Sequence, residues 1–154
     1  MEAKGGQGKL PARTIPSSER VVLVVDDDAA LCEFITDALK AEGYRAVCAR
    51  DGRSALAAVE TTIPDLILLD VRLPGIDGWD VLRQLRAKAG PQQPIVIMTG
   101  EYEGQDQALG SGAQGYLAKP FGLDDLLECV DLHSRITMDS NLGERFGSTN
   151  GSRP

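Results

Sequence analysis

The sequence predicts an α/β fold: a five-stranded parallel sheet, doubly wound, with five helices over its two faces, the fourth of them short. Three observations carry that prediction. Short runs that are apolar throughout (Val21-Val22-Leu23-Val24-Val25, Leu66-Ile67-Leu68-Leu69 and Ile95-Val96-Ile97-Met98) fit strands buried on both faces. Segments with helical apolar spacing alternate with them. Each run then stops at a polar residue or acid, on the sheet edge where open α/β folds build their sites.

The elements follow in order. Val21 to Val25 ends in Asp26-Asp27-Asp28. Leu31, Phe34, Ile35, Ala38 and Leu39 then form one apolar helical face, with Asp28 as N-cap and Gly43 as the stop. Tyr44 to Ala49 reads as a short strand. Asp51-Gly52 opens a helix with Ala55, Leu56 and Val59 inward, broken at Ile63-Pro64-Asp65. Leu66 to Leu69 leads straight into Asp70, and Pro74-Gly75 and Asp77-Gly78 bend the chain behind it. Trp79, Leu82 and Leu85 mark a third helix that ends near Gly90-Pro91. A strand from Ile95 to Met98 reaches Thr99-Gly100. Glu101 to Gly115 holds four glycines, so the fourth helix should be short and loosely held. Tyr116-Leu117-Ala118 ends in Lys119-Pro120. The last helix starts near Gly122, with Leu123, Leu126, Leu127 and Val130 inward and Asp124 and Asp125 in its first turn.

Bulk properties narrow the function. A chain of 154 residues with 42% hydrophobic content suits one domain with a proper core. No apolar run nears the roughly 18 residues of a membrane span, and residues 1–19 lack the apolar centre of a signal peptide, so a cytoplasmic protein with no membrane partner is expected. Residues 1–19 read as a flexible leader, 20–135 as the folded domain and 136–154 as a flexible tail. Net charge is −7 and is concentrated in the central domain. That balance argues against direct contact with nucleic acid and suits a divalent cation. Cys32, Cys48 and Cys129 form no close pair in sequence, and three buried reduced thiols are expected. His133, the only histidine, reads as a surface residue.

In a parallel sheet the carboxyl ends of the strands share one edge. Asp26, Asp27, Asp70, Thr99 and Lys119 would meet there. Crowded carboxylates repel and favour a cation between them. With oxygen ligands, and no His or Cys in that set, Mg2+ is favoured over zinc. Asp70 itself could be a metal ligand, a base or a nucleophile.

Taken together, V-V-D-D-D, L-I-L-L-D-V-R-L-P-G-I-D-G, I-V-I-M-T-G and Y-L-A-K-P-F resemble the receiver domain of two-component response regulators, over about residues 20–135. The resemblance implies a flavodoxin-like sheet with strand order 2-1-3-4-5. It implies that Asp70 is the phosphoacceptor, that Asp27 binds Mg2+ directly, that Asp26 assists through water, and that the main-chain carbonyl of Arg72 completes the ligands. Lys119 would pair with phosphoryl oxygens, its bond to Pro120 typically being cis. Thr99 and Tyr116 would form the conformational switch. Two departures stand out: the Thr99-to-Lys119 interval is about two residues short, and Gly122 stands where the family favours Asp.

The implied function is that of a phosphorylatable switch rather than an enzyme, with only intrinsic self-phosphorylation and self-dephosphorylation chemistry. Its phosphoryl donor would be a sensor histidine kinase or phosphotransfer protein. A stand-alone arrangement is expected, with a downstream protein as target and the chain a monomer or a phosphorylation-dependent homodimer. Alternatives are a phosphate-independent interaction module and an aspartyl-phosphate phosphatase. Arg72 and Glu101, each two residues past a site residue, could pair over the phosphoryl group and lengthen its lifetime.

Overall fold

The structure, a computed structural model, describes residues 20–100 and 110–145, the side chains of 135–145 excepted. Its elements are β1 (Val21–Val25), α1 (Ala29–Ala41), β2 (Arg45–Ala49), α2 (Gly52–Thr61), β3 (Leu66–Asp70), α3 (Gly78–Ala89), β4 (Ile95–Thr99), β5 (Gly115–Ala118) and α4 (Leu123–Arg145). All strand pairs are parallel and the order is β2-β1-β3-β4-β5, as expected. The register places Val25 beside both Ala49 and Leu69, and Thr99 beside Ala118, so the carboxyl ends align.

The apolar runs are two-sided. Val22, Val24, Leu66, Leu68, Val96 and Met98 face α1 and α4. Leu23, Val25, Ile67, Leu69, Ile95 and Ile97 face α2 and α3. Every residue of β1, β3 and β4 is buried. Each such Leu or Ile contributes about 1.5–3 kcal/mol relative to exposure, which pins the central strands and the loops that leave them.

Caps hold the helices where the sequence placed them. Asp28 accepts from the Leu31 N–H at 3.1 Å and Asp51 from the Ser54 N–H at 2.8 Å. Asp51 titrates below the usual carboxylate range because that backbone donor stabilises its anion. At α4, Gly122 is the N-cap, and its N–H donates to Asp125 Oδ2 at 3.2 Å, the reaching-back half of a capping box. Gly43 takes a φ of 95°, the left-handed stop expected after α1.

Several expectations are corrected. Phe34 is 39% exposed, because α1 is rotated so that Cys32, Ile35 and Leu39 point inward. Leu123 is 46% exposed at the mouth of α4. No proline lies between Ile136 and Arg145, and α4 continues to Arg145 rather than stopping near Ile136. His133 is half-buried: its ring packs so closely on Gly115 that a Cβ there would lie 2.8 Å from Nε2. Cys32 and Cys48 are joined in a disulfide, not held as separate thiols, because α1 packs across β2 and brings their Cα atoms to 6.4 Å. Cys129 is free. The expected short fourth helix falls largely on residues 101–109, which lie outside the described residues, as do 1–19 and 146–154.

Candidate functional site

β1 delivers Asp26 directly off its last residue, where the Asp26 N–H donates to the Ala49 carbonyl at 3.1 Å. The side chain is only 1% exposed and both of its oxygens are engaged. Oδ1 accepts from the Asp28 N–H at 2.9 Å, and Oδ2 pairs with Lys119 Nζ at 2.8 Å. Asp27 is exposed, and its carbonyl accepts from Arg50 Nη2 at 3.0 Å. Arg50 escaped sequence reasoning; its signal was its place just past the end of β2, on the same edge.

Asp70 is the last residue of β3 and is 5% exposed. Its Oδ1 accepts from the Arg72 N–H at 2.9 Å, and its Oδ2 meets Lys119 Nζ at 3.1 Å. Burial pushes the Asp70 carboxyl up, and the neighbouring Asp26 charge adds to the rise. The Arg72 N–H and Lys119 oppose it. Burial alone would lower Lys119, but its hydrogen bonds and ion pairs with Asp26 and Asp70 outweigh this and raise it.

Lys119 comes off β5 just before a cis bond to Pro120, and its N–H donates to the Thr99 carbonyl at 2.8 Å. Thr99 is buried at the end of β4. Asp70, Arg72, Thr99, Gly100 and Lys119 line an open cavity of about 260 Å³. Tyr116, on β5, is half-buried against the α2–α3 side of the core.

The fold thus brings together Asp26, Asp27, Asp70, Thr99 and Lys119, as the sequence placed them. One carboxylate oxygen each from Asp26, Asp27 and Asp70 lie within 4.8 Å of one another, a cluster that could hold a metal ion. Arg72 lines the cavity, while Glu101 lies outside the described residues.

Lys119 bonds to both buried carboxylates, Asp26 and Asp70. Lys119→Ala should cost about 1–3 kcal/mol in chelator, less than the ~3–5 of a fully buried pair because the ammonium is partly solvated. Mg2+ should restore much of that loss by binding the folded state. Urea midpoints with chelator and with Mg2+ check this; a midpoint unmoved in chelator would refute it.

A parallel sheet of this order with an acid cluster at its carboxyl edge defines a doubly wound α/β domain with a candidate cation site, and comparison with known proteins makes the family assignment. The family described as the response regulator receiver domain matches residues 22–131, and the chain belongs to it. It is similar to the DNA-binding response regulator MtrA of Mycobacterium tuberculosis, 47% identical over 120 residues that cover 77% of this chain and 52% of MtrA. It is 40% identical to the response regulator MprA of Mycolicibacterium vanbaalenii, over 83% of this chain and 56% of MprA. Among solved structures, the chemotaxis protein CheY4 of Vibrio cholerae matches with a TM-score of 0.69 and 31% identity, over 73% of this chain and 96% of CheY4.

The chain spans about half the length of the curated relatives it matches, and they give no support to a stand-alone arrangement. They also overturn the expectation of no direct nucleic-acid partner, since MtrA is named a DNA-binding protein. The reason is physical: the charge of one domain describes that domain's own surface, not what a longer relative binds.

Proposed function

We propose that this chain is the phosphoacceptor part of a two-component response regulator, with Asp70 as the acceptor, and that its phosphorylation is read out at DNA. The observation that carries the reading is the Asp26–Asp27–Asp70 cluster bridged by Lys119 at one sheet edge. Asp70 Oδ attacks the phosphorus of a kinase or phosphotransfer-protein phosphohistidine. The P–O bond forms, the P–N bond breaks and the imidazole leaves. Such a transfer asks chiefly for positioning and charge balance. Asp26, Asp27, Asp70 and the Arg72 carbonyl form a hard oxygen set that would hold Mg2+, which when bound offsets the phosphoryl charge. Lys119 balances the remaining oxygens. The Thr99 hydroxyl donates to one of them, and Tyr116 moves into the space that Thr99 leaves. Return to the resting state is self-dephosphorylation by water, in a protein that works in the cytoplasm.

DNA as the output partner follows the MtrA likeness. The acidic 20–135 body suits control of DNA binding rather than the phosphate contacts themselves. Fluorescence anisotropy of promoter DNA with the full-length gene product, phosphorylated and not, tests this; binding indifferent to phosphorylation removes it. The phosphoacceptor reading is tested by intact-mass spectrometry after acetyl phosphate. One phosphoryl adduct that requires Mg2+ is expected. Absence of an adduct with a phosphorylated kinase as donor as well would leave a phosphate-independent module.

Arg72 lines the cavity beside Asp70, and Glu101 is its proposed partner in shielding the acyl phosphate from water. Arg72→Ala should raise the hydrolysis rate by about two- to fivefold, the range set by a solvated ion pair. The decay of the phosphorylated protein after acetyl phosphate is removed measures it, and an unchanged rate assigns Arg72 no such role.

A further inference from the structure

We propose that Cys32 and Cys48 are a reversible thiol pair whose disulfide locks the acidic loop Asp26–Asp28 in place, so that the redox state of the chain sets the affinity of the metal cluster. The inference concerns regulation of the site just described and rests on that reading for its metal arm alone.

The geometry ties both cysteines to the loop. Cys32 sits in the first turn of α1, its N–H donates to the Asp28 carbonyl at 3.0 Å, and its Sγ lies 3.3 Å from the Asp26 carbonyl. Cys48 pairs with Val24 in the β1–β2 register, and the next residue, Ala49, accepts the Asp26 N–H at 3.1 Å. Arg50, one residue further, holds the Asp27 carbonyl at 3.0 Å. The loop that presents two of the three clustered carboxylates is thus bracketed by α1 and the end of β2. A bond between the cysteines spans both brackets, across a Cα separation of 6.4 Å and 16 residues of chain.

The chemistry is ordinary thiol–disulfide exchange with a glutathione-class disulfide. Cys48, half-buried at the sheet edge, is the accessible partner; Cys32 is 5% exposed. The Cys48 thiolate attacks the external disulfide and releases one thiol. The Cys32 thiolate then attacks Cys48 Sγ and releases the second. Two electrons pass to the external disulfide, and the two protons leave on its thiols; a dithiol reductant reverses the step. Cys129 is a poor competitor, because burial pushes its thiol up to about 11. Tying the loop down removes motion that cation binding would otherwise have to arrest, so the oxidised form should bind the ion more tightly.

The experiment compares the full chain after glutathione disulfide and after dithiothreitol. Iodoacetamide labelling in denaturant should give one adduct in the oxidised form and three in the reduced. Amide hydrogen exchange over 26–32, measured without metal, should be slower when oxidised. The Mg2+ dissociation constant by calorimetry should be about threefold or more lower. Cys48→Ser, at the half-buried site, should show no redox dependence in either measurement. Three adducts after oxidation overturn the proposal, as do equal exchange rates with the bond formed. An affinity equal or weaker in the oxidised form also overturns it. Slower exchange with no Mg2+ binding in either form would uphold the lock and remove the metal reading of the site.

Discussion

Asp70→Asn should abolish the phosphoryl adduct from acetyl phosphate, with the protein still folded and its stability little changed. The acceptor must be a carboxylate, and an amide cannot form the acyl phosphate. The side chain sits at the end of a buried strand, 5% exposed, with one oxygen on the Arg72 N–H and the other on Lys119. An amide oxygen can keep the backbone bond, and only a neutral group replaces the charge. Burial and the Asp26 carboxylate both disfavour the Asp70 anion in the folded state. Removing that anion therefore relieves a cost, and leaves Lys119 to pair with Asp26 alone. The loss of the Lys119 pair opposes the gain, so the net stability change should be small, within about 1 kcal/mol of zero. Intact mass reads the first half and urea unfolding the second. An adduct on the variant at the wild-type level would remove Asp70 from the acceptor role. A variant that fails to fold would point instead to a structural part for this carboxylate.

Gly78→Ala should be the most damaging small substitution near the site. Gly78 is the first residue of α3, and its N–H donates to the Val71 carbonyl at 3.2 Å. A Cβ there would lie 2.2 Å from Val71 Cα and 2.4 Å from its carbonyl oxygen. These are backbone atoms, so no rotamer change relieves the overlap. α3 must move away from the segment that follows Asp70, at an expected cost of about 2–4 kcal/mol. Phosphorylation should slow too, because Val71 and Arg72 carry the backbone that orients the acceptor. Urea midpoints and the rate of adduct formation check the pair of effects, and a stability within about 0.5 kcal/mol of wild type would refute the contact.

Gly78 also shows where sequence reading reaches its end. Asp77-Gly78 reads as a turn pair, but the structure makes Asp77 the N-cap and Gly78 the first residue of α3. Its glycine is required for a different reason, the close approach of the start of α3 to the Val71 backbone, to which the Gly78 N–H is bonded. The cysteines make the same point. Their spacing of 16 residues carries no pairing signal, and only the crossing of α1 over β2 brings them together. Phe34 fits the apolar stripe of α1 as well as Ile35 does, yet the helix settles with Cys32 inward in its place.

What the sequence by itself determined is the sheet and the membership of its active edge. Five strand-like runs, three of them apolar throughout, alternating with amphipathic segments admit few parallel arrangements, and a parallel sheet sends every strand's last residue to one side. Asp26, Asp27, Asp70, Thr99 and Lys119 are therefore legible as one group from the sequence. The tertiary structure alone decided who bonds to whom. Lys119 joins Asp26 and Asp70 rather than solvent, Arg50 grips the Asp27 backbone, and the disulfide ties α1 to β2. The reason lies in range. Alternation and strand ends are set by local chain periodicity, which a sequence displays directly. Partners in a cluster depend on helix rotation and loop path, which many distant contacts decide together.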